Sequence, residues 1–187
     1  MCYNRSMQNT SQREAISELP ERLAQIPDAP KKLYLRGEFP EAFKYLAIVG
    51  SRNHTQYGEQ ALSRLMRDLA GYDVCIVSGL ALGIDSVAHR CALDAGLKTL
   101  AVLGSGLDDR VIYPRTNLAL AHRILEEGGG LLSEMPADHR PRPYDFPRRN
   151  RIIAGLSDAT LIVEATKRSG TLVTARLAME YNREVLA

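Results

Sequence analysis

The stretch from Leu46 to Leu69 constrains the chain more than any other. An unbroken apolar run, Leu46–Val49, stops at Gly50, and a helical pattern follows with Leu62, Leu65, Met66 and Leu69 on one face. A run without polar alternation belongs to a strand buried on both faces, and the 3.6-residue spacing after it belongs to a crossover helix. Gly50 marks a sharp turn between the two, with Ser51 and Arg52 directly after it. Backbone N–H groups near a helix start attract anions, and a hydroxyl and a guanidinium suit phosphate oxygens. The turn reads either as a phosphate cradle or as a plain strand end whose arginine points at solvent. Neither a Walker loop nor a full Gly-x-Gly-x-x-Gly is present to decide between them.

The pattern then recurs. Further strands are expected at Val74–Val77, Thr99–Leu103, Gly130–Ser133, Thr160–Val163 and Glu184–Ala187. Helices are expected at Gly58–Ala70, Ile84–Ala95, Thr116–Glu127, Asn150–Leu156 and Thr171–Tyr181. The early strands recur at close to the ~30 residues of a βαβ unit. Alternation of this kind predicts an α/β fold, a mostly parallel sheet with helices on both faces. Ahead of it, Ser11 is a candidate cap for a helix through Leu23, shortened or broken by Pro20, and Lys32–Arg36 alternates like a strand ended by Gly37. Residues 1–40 thus read as a short N-terminal extension docking on a main domain, 41–187, with residues 1 to about 11 polar, patternless and expected to fray. A chain of 187 residues can bury a full core as one domain with such an appendage.

Ligands of open parallel sheets sit at the carboxyl ends of the strands. Here those ends share a chemistry: Gly50-Ser51-Arg52, then Ser78-Gly79 through Gly83 and Asp85, then Gly104-Ser105-Gly106, then Glu164 with Lys167, Ser169, Gly170 and Thr171. Glycines let backbone approach a ligand, and the adjoining hydroxyls and N–H groups donate to it. Several such turns at one edge are hard to ascribe to turn-making alone. Between Arg140 and Arg151 the chain carries five arginines, Tyr144, Phe146 and three prolines just before a helix. Arginine interleaved with aromatics suits a nucleic-acid backbone with stacked bases. The competing reading is a solvated basic loop anchored by Phe146, with arginines paired to Glu134 or Asp145 and Asn150 serving as a helix cap.

Catalytic patterns are sparse. His54, His89, His122 and His139 lack metal-ligand spacing. His89 reads as a packed or surface histidine and Asp85 as a capping or turn carboxylate, which leaves Glu164 as the one candidate for acid–base work. Cys2, Cys75 and Cys91 form no Cys-x-x-Cys pair, and Cys75 and Cys91 read as plain buried thiols, as in a reduced, cytoplasmic protein. No apolar stretch is long enough to span a bilayer. A formal net charge of +2 means that any nucleic-acid role must rest on where the charge sits.

Taken together these residues resemble the DNA-processing protein A family, DprA or Smf. The resemblance is carried by Val49–Arg52, by Ser78–His89, and by Gly104–Pro114 with one extra residue between Asp108 and Ile112. It continues through Leu132–Pro136, Phe146–Ser157, Glu164-Ala165 and Ser169–Arg176, in unbroken order from about Pro27 to Ala187. The resemblance implies a Rossmann-like domain that binds single-stranded DNA, forms a homodimer and passes the strand to the RecA recombinase in natural transformation. It implies no cofactor, no metal and no bond-breaking chemistry. By position, Gly50, Ser51, Arg52, Lys167, Ser169 and Gly170 would hold phosphate, and Arg148, Arg149, Asn150 and Arg151 would line the same pocket. Asn182-Arg183 departs from the family's usual Gly-Arg. Two rivals share this kind of fold: a nucleoside-monophosphate phosphoribohydrolase and a nucleotide-sensing module. The first wants Pro-Gly-Gly-x-Gly-Thr where this chain has only Ser-Gly-Thr, and the second wants an acidic residue after Val77.

Overall fold

The computed structural model describes residues 13–166 and 169–187. Its strands are β1 (Arg13–Ala15), β2 (Tyr34–Gly37), β3 (Lys44–Gly50), β4 (Val74–Ser78), β5 (Lys98–Leu103), β6 (Gly130–Ser133), β7 (Ala159–Val163) and β8 (Glu184–Leu186). Its helices are α1 (Glu21–Ala24), α2 (Gln56–Asp68), α3 (Ile84–Asp94), α4 (Leu118–Glu126), α5 (Asp145–Leu156) and α6 (Gly170–Glu180), with a 3-10 turn at Arg115–Asn117. The strands form one sheet in the order β1-β2-β6-β5-β4-β3-β7-β8. All pairs from β6 to β8 are parallel, while β2 pairs antiparallel with both β6 and β1. This is the Rossmann-like, mostly parallel α/β architecture that the alternating pattern predicts.

Unbroken apolar strands follow from burial on both faces. Ala47 and Val49 of β3, Cys75 and Val77 of β4, and Val102 of β5 pack on one side against Ile152, Ile153 and Leu156 of α5. Their neighbours Ile48 and Ile76 face the other side, against Leu62 and Met66 of α2 and Val87 and Ala88 of α3. Helix α4 covers the β5–β6 end with Leu120, Ala121 and Ile124.

Two segments depart from the sequence expectation. No helix runs from Ser11 to Leu23: Arg13–Ala15 is a strand paired with β2, and α1 begins only at Glu21. Pro20 sets the helix start, since proline has no N–H to continue a helix from upstream, while its carbonyl accepts from the N–H groups of Leu23 and Ala24. Helix α5 begins at Asp145 rather than Asn150, so much of the arginine-rich stretch is helical and Asn150 is no cap. Pro147 is its third residue, where the N–H has no partner within the helix in any case.

The segment from Arg13 to Gly37 enters both sheet and core: Leu23, Ile26 and Leu33 sit in the same cluster as α5. Leu23 has no exposed surface. Leu23→Ala should therefore lower stability by about 2–5 kcal/mol. Phe43→Ala, at a residue 76% exposed, should stay within about 0.5 kcal/mol. Urea unfolding followed by circular dichroism measures both.

Candidate functional site

From β3 the chain crosses to β4, β5 and β6 on one side, whereas β7 and β8 lie on the other. The switch between β3 and β7 opens a crevice at their carboxyl ends, where open α/β sheets take ligands. A cavity of about 710 Å³ lies there, walled by the residues after β3, by the start of α6 and by α5.

Its first wall is the Gly50-Ser51-Arg52 turn. A Cβ on Gly50 would overlap the Val163 carbonyl oxygen and come within 2.6 Å of Ile84, so only glycine lets β3 end so close to β7. The Ser51 hydroxyl is engaged in its own turn: it donates to the Asn53 carbonyl at 2.9 Å and accepts from the Asn53 N–H at 3.1 Å. Arg52 is exposed, and among the described residues it makes no ion pair.

The second wall is α6. Ser169, Gly170 and Thr171 line the cavity at its N-terminus, where first-turn N–H groups and the helix dipole favour an anion. The Ser169 hydroxyl is buried without a hydrogen-bond partner among the described residues. Thr171 donates to the Gly50 carbonyl at 3.1 Å and ties this helix to the first wall. Lys167, expected beside them, lies outside the described residues.

Helix α5 forms the third wall and divides the arginine block by its periodicity. Arg149 and Asn150 line the cavity. Arg148 and Arg151 instead turn to Glu134, Arg148 at 3.0 Å and Arg151 at 2.7 Å. Arg149 is only 6% exposed, and its Nη1 donates to the carbonyls of Gly79 and Val102. Burial pushes its pKa down to about 10, with the charge of Asp85 opposing that fall and Arg52 adding to it. On the rim, the rings of Tyr113 and Phe146 lie 5.5 Å apart at 47°.

The remaining glycines at this edge face protein, not open space. A Cβ at Gly79 would strike the Arg149 guanidinium, at Gly83 the Ser51 carbonyl and at Gly106 the carbonyls of Pro136 and Ala137, and at Gly104 it would sit tightly against the Phe146 ring at 3.0 Å. Gly83 also holds φ +80°, which other residues resist. Gly104, Ser105 and Gly106 are buried, and the Ser105 hydroxyl donates to the Gly106 carbonyl. Close chain packing thus accounts for glycines that the sequence alone presents as ligand contacts.

Sequence reasoning also chose the wrong carboxylate for the cavity. Glu164 does not line it: it accepts from the backbone N–H and the hydroxyl of Thr55, the cap of α2, and the hydroxyl bond first of all draws its pKa down. Asp85 does line it, buried and accepting from the Gly79 N–H at 3.1 Å. Burial raises its pKa, with Arg149 the largest opposing influence. The place of Asp85 in the first turn of α3, directly after the glycine-bearing loop that follows β4, was the available signal. His89 is fully buried, its Nδ1 2.7 Å from the Thr99 hydroxyl. Burial pushes the Cys75 thiol up to about 12, as suits an inert core cysteine. Among the described residues, no three His, Cys, Asp or Glu side chains are placed to share a metal ion, and no helix is long and apolar enough to cross a membrane.

Comparison with known proteins places this architecture among close relatives. The family model for DNA recombination-mediator protein A matches residues 14–187. Protein Smf of Escherichia coli is 50% identical over 169 residues, covering 90% of this chain and 45% of the relative. The structure of DNA processing protein A from Streptococcus pneumoniae superposes with a TM-score of 0.83 at 38% identity, over 94% of this chain and 62% of that one. A structure of the Helicobacter pylori protein, concerned with its single-stranded DNA binding mode, gives 0.85 at 35% identity, over 93% and 79%. The chain spans about half the length of the curated relatives it matches.

The buried histidine gives this site's surroundings a pH signature. Unfolded, His89 takes a proton near pH 6.5, whereas burial holds it neutral in the fold down to about 3. Between those values the unfolded chain binds more protons, so acidification removes stability. Asp85, with its pKa raised, acts in the opposite direction in parent and variant alike. Urea unfolding should show parent stability falling between pH 6.5 and 4.5 faster than that of His89→Gln, by up to about 1.4 kcal/mol per pH unit. Parallel profiles would mean that His89 does not titrate in this way.

Proposed function

The chain belongs to the DNA recombination-mediator protein A family, and on that premise we propose that it binds single-stranded DNA in the cavity between β3 and β7. The observation that carries this is the convergence of Arg52, Arg149 and the α6 N-terminus on one cavity, with neither arginine ion-paired among the described residues. Phosphate is the anion that matches fixed guanidinium groups and helix N–H donors. The rim aromatics Tyr113 and Phe146 give unstacked bases a surface that a paired duplex could not use. The partner named for the Helicobacter pylori relative is the same class of nucleic acid.

In this reading the protein processes DNA without breaking bonds. Glu164 commits its carboxylate to Thr55, and Asp85 braces the loop after β4. The biological setting we propose, in keeping with the family, is a cytoplasmic homodimer that protects incoming single strands and passes them to the RecA recombinase during natural transformation.

Titration with single- and double-stranded oligonucleotides of equal length, at several salt concentrations, tests the binding step. Single strands should bind more tightly, with a log–log salt slope of about −2 to −3 if three or four phosphates are held. Tighter binding of the duplex would overturn the reading. Arg52→Ala should weaken binding to every sequence alike and flatten the slope by about 0.7, with thermal stability changed by no more than about 0.5 kcal/mol. Lys167→Ala should act in the same way, and the two losses should add unless both residues hold one phosphate. An unchanged slope in the double variant would place the DNA elsewhere.

A further inference from the structure

The cavity does not end at its lining. Pro143 and Phe146 belong to its wall, and Arg142 and Tyr144 flank Pro143 on the solvent side. Tyr144 is 56% exposed and Tyr113, across the rim, 55%. The Arg142 guanidinium lies 6.0 Å from the Tyr144 ring centroid, and its Nη1 donates to the Tyr144 hydroxyl at 2.7 Å. Arg140, also exposed, precedes them in the same segment.

This segment is braced from beneath. The buried Asp145 carboxylate accepts from the Arg142 backbone N–H at 2.8 Å and lies 2.8 Å from His139 Nε2. The Asp145 N–H returns to the Arg142 carbonyl, and the His139 carbonyl accepts from the Gly106 N–H. Pro141 and Pro143 restrict the backbone further. An exposed aromatic on so fixed a backbone offers stacking area at little cost in ordering.

We infer that Arg142 and Tyr144 form a second nucleotide subsite, on which a single strand leaving the cavity stacks one base against Tyr144 while Arg142 meets the adjoining phosphate. The inference rests on the DNA-binding reading above and extends it to residues outside the cavity. A ring beside a guanidinium, whose neighbouring carboxylate Asp145 is engaged by the Arg142 backbone N–H and by His139, fits a base–phosphate unit. An acidic peptide would satisfy the arginine but leave the ring unused.

Oligonucleotide length and base content make the test specific. The probes are a twelve-nucleotide oligo-dT, a four-nucleotide oligo-dT and a twelve-unit abasic strand, titrated against the parent, Tyr144→Ala, Tyr144→Phe, Arg142→Gln and Arg52→Ala. Tyr144→Ala should weaken the long oligo-dT about ten-fold, within the range for loss of one base–aromatic stack, and spare the short and abasic probes. Tyr144→Phe should bind as the parent does, and Arg142→Gln should weaken both long probes. Equal loss on the abasic strand, or no loss on the long oligo-dT, would overturn the subsite. If Arg52→Ala weakens all three probes while Tyr144→Ala weakens none, the cavity reading stands and the subsite falls. If the parent binds neither oligo-dT probe, both fall.

Discussion

Arg149 reaches from α5 across the carboxyl edge of the sheet and donates through Nη1 to carbonyls at the ends of two neighbouring strands, Gly79 after β4 and Val102 in β5. A planar guanidinium is suited to such a site, because it stays charged when buried and its donors are fixed in direction. The first turn of α5 is positioned by this contact, and with it Pro143, Phe146 and Pro147 as one wall of the cavity. Glycine at position 79 leaves the guanidinium the space that a side chain there would take. Asp85, in turn, supplies the opposite charge that moderates burying the cation.

The sheet and its crossover helices were legible because burial on both faces writes itself directly into sequence. Leu46–Val49 and Gly130–Ser133 have no polar alternation, and both lie within inner strands of the eight-stranded sheet. The start of α5 was hidden because Pro147 looks like a helix breaker, although in a first turn its missing N–H costs nothing. The segment before α1 was misread for a related reason. Ile16, Leu19 and Leu23 have helical spacing, but their burial comes from packing against distant residues. A three-residue strand such as β1, paired only at β2, leaves almost no local signal.

At the site, the turn after β3 and the Ser169–Thr171 segment were legible from residue type alone, and the structure brings them to one cavity. The arginine block was legible only as a block. Helical periodicity, together with a carboxylate at Glu134, decides which of its members face the cavity, and neither can be read before the helix start is known. Glycine was the most misleading residue. A missing side chain looks the same in sequence whether the space is needed by a ligand or by Arg149, Ser51 or Phe146.

The proximity of Arg52 to Arg149 has a consequence for the scaffold itself. The Arg52 charge adds to the fall that burial imposes on the Arg149 pKa, with Asp85 opposing both, so the cavity gathers positive charge at one edge of a well-packed protein. A chain shaped only for durability would lose one of the pair. With both present, the Arg149 charge is held against a like charge, and an anion bound in the proposed way would relieve that repulsion as well as fill the cavity.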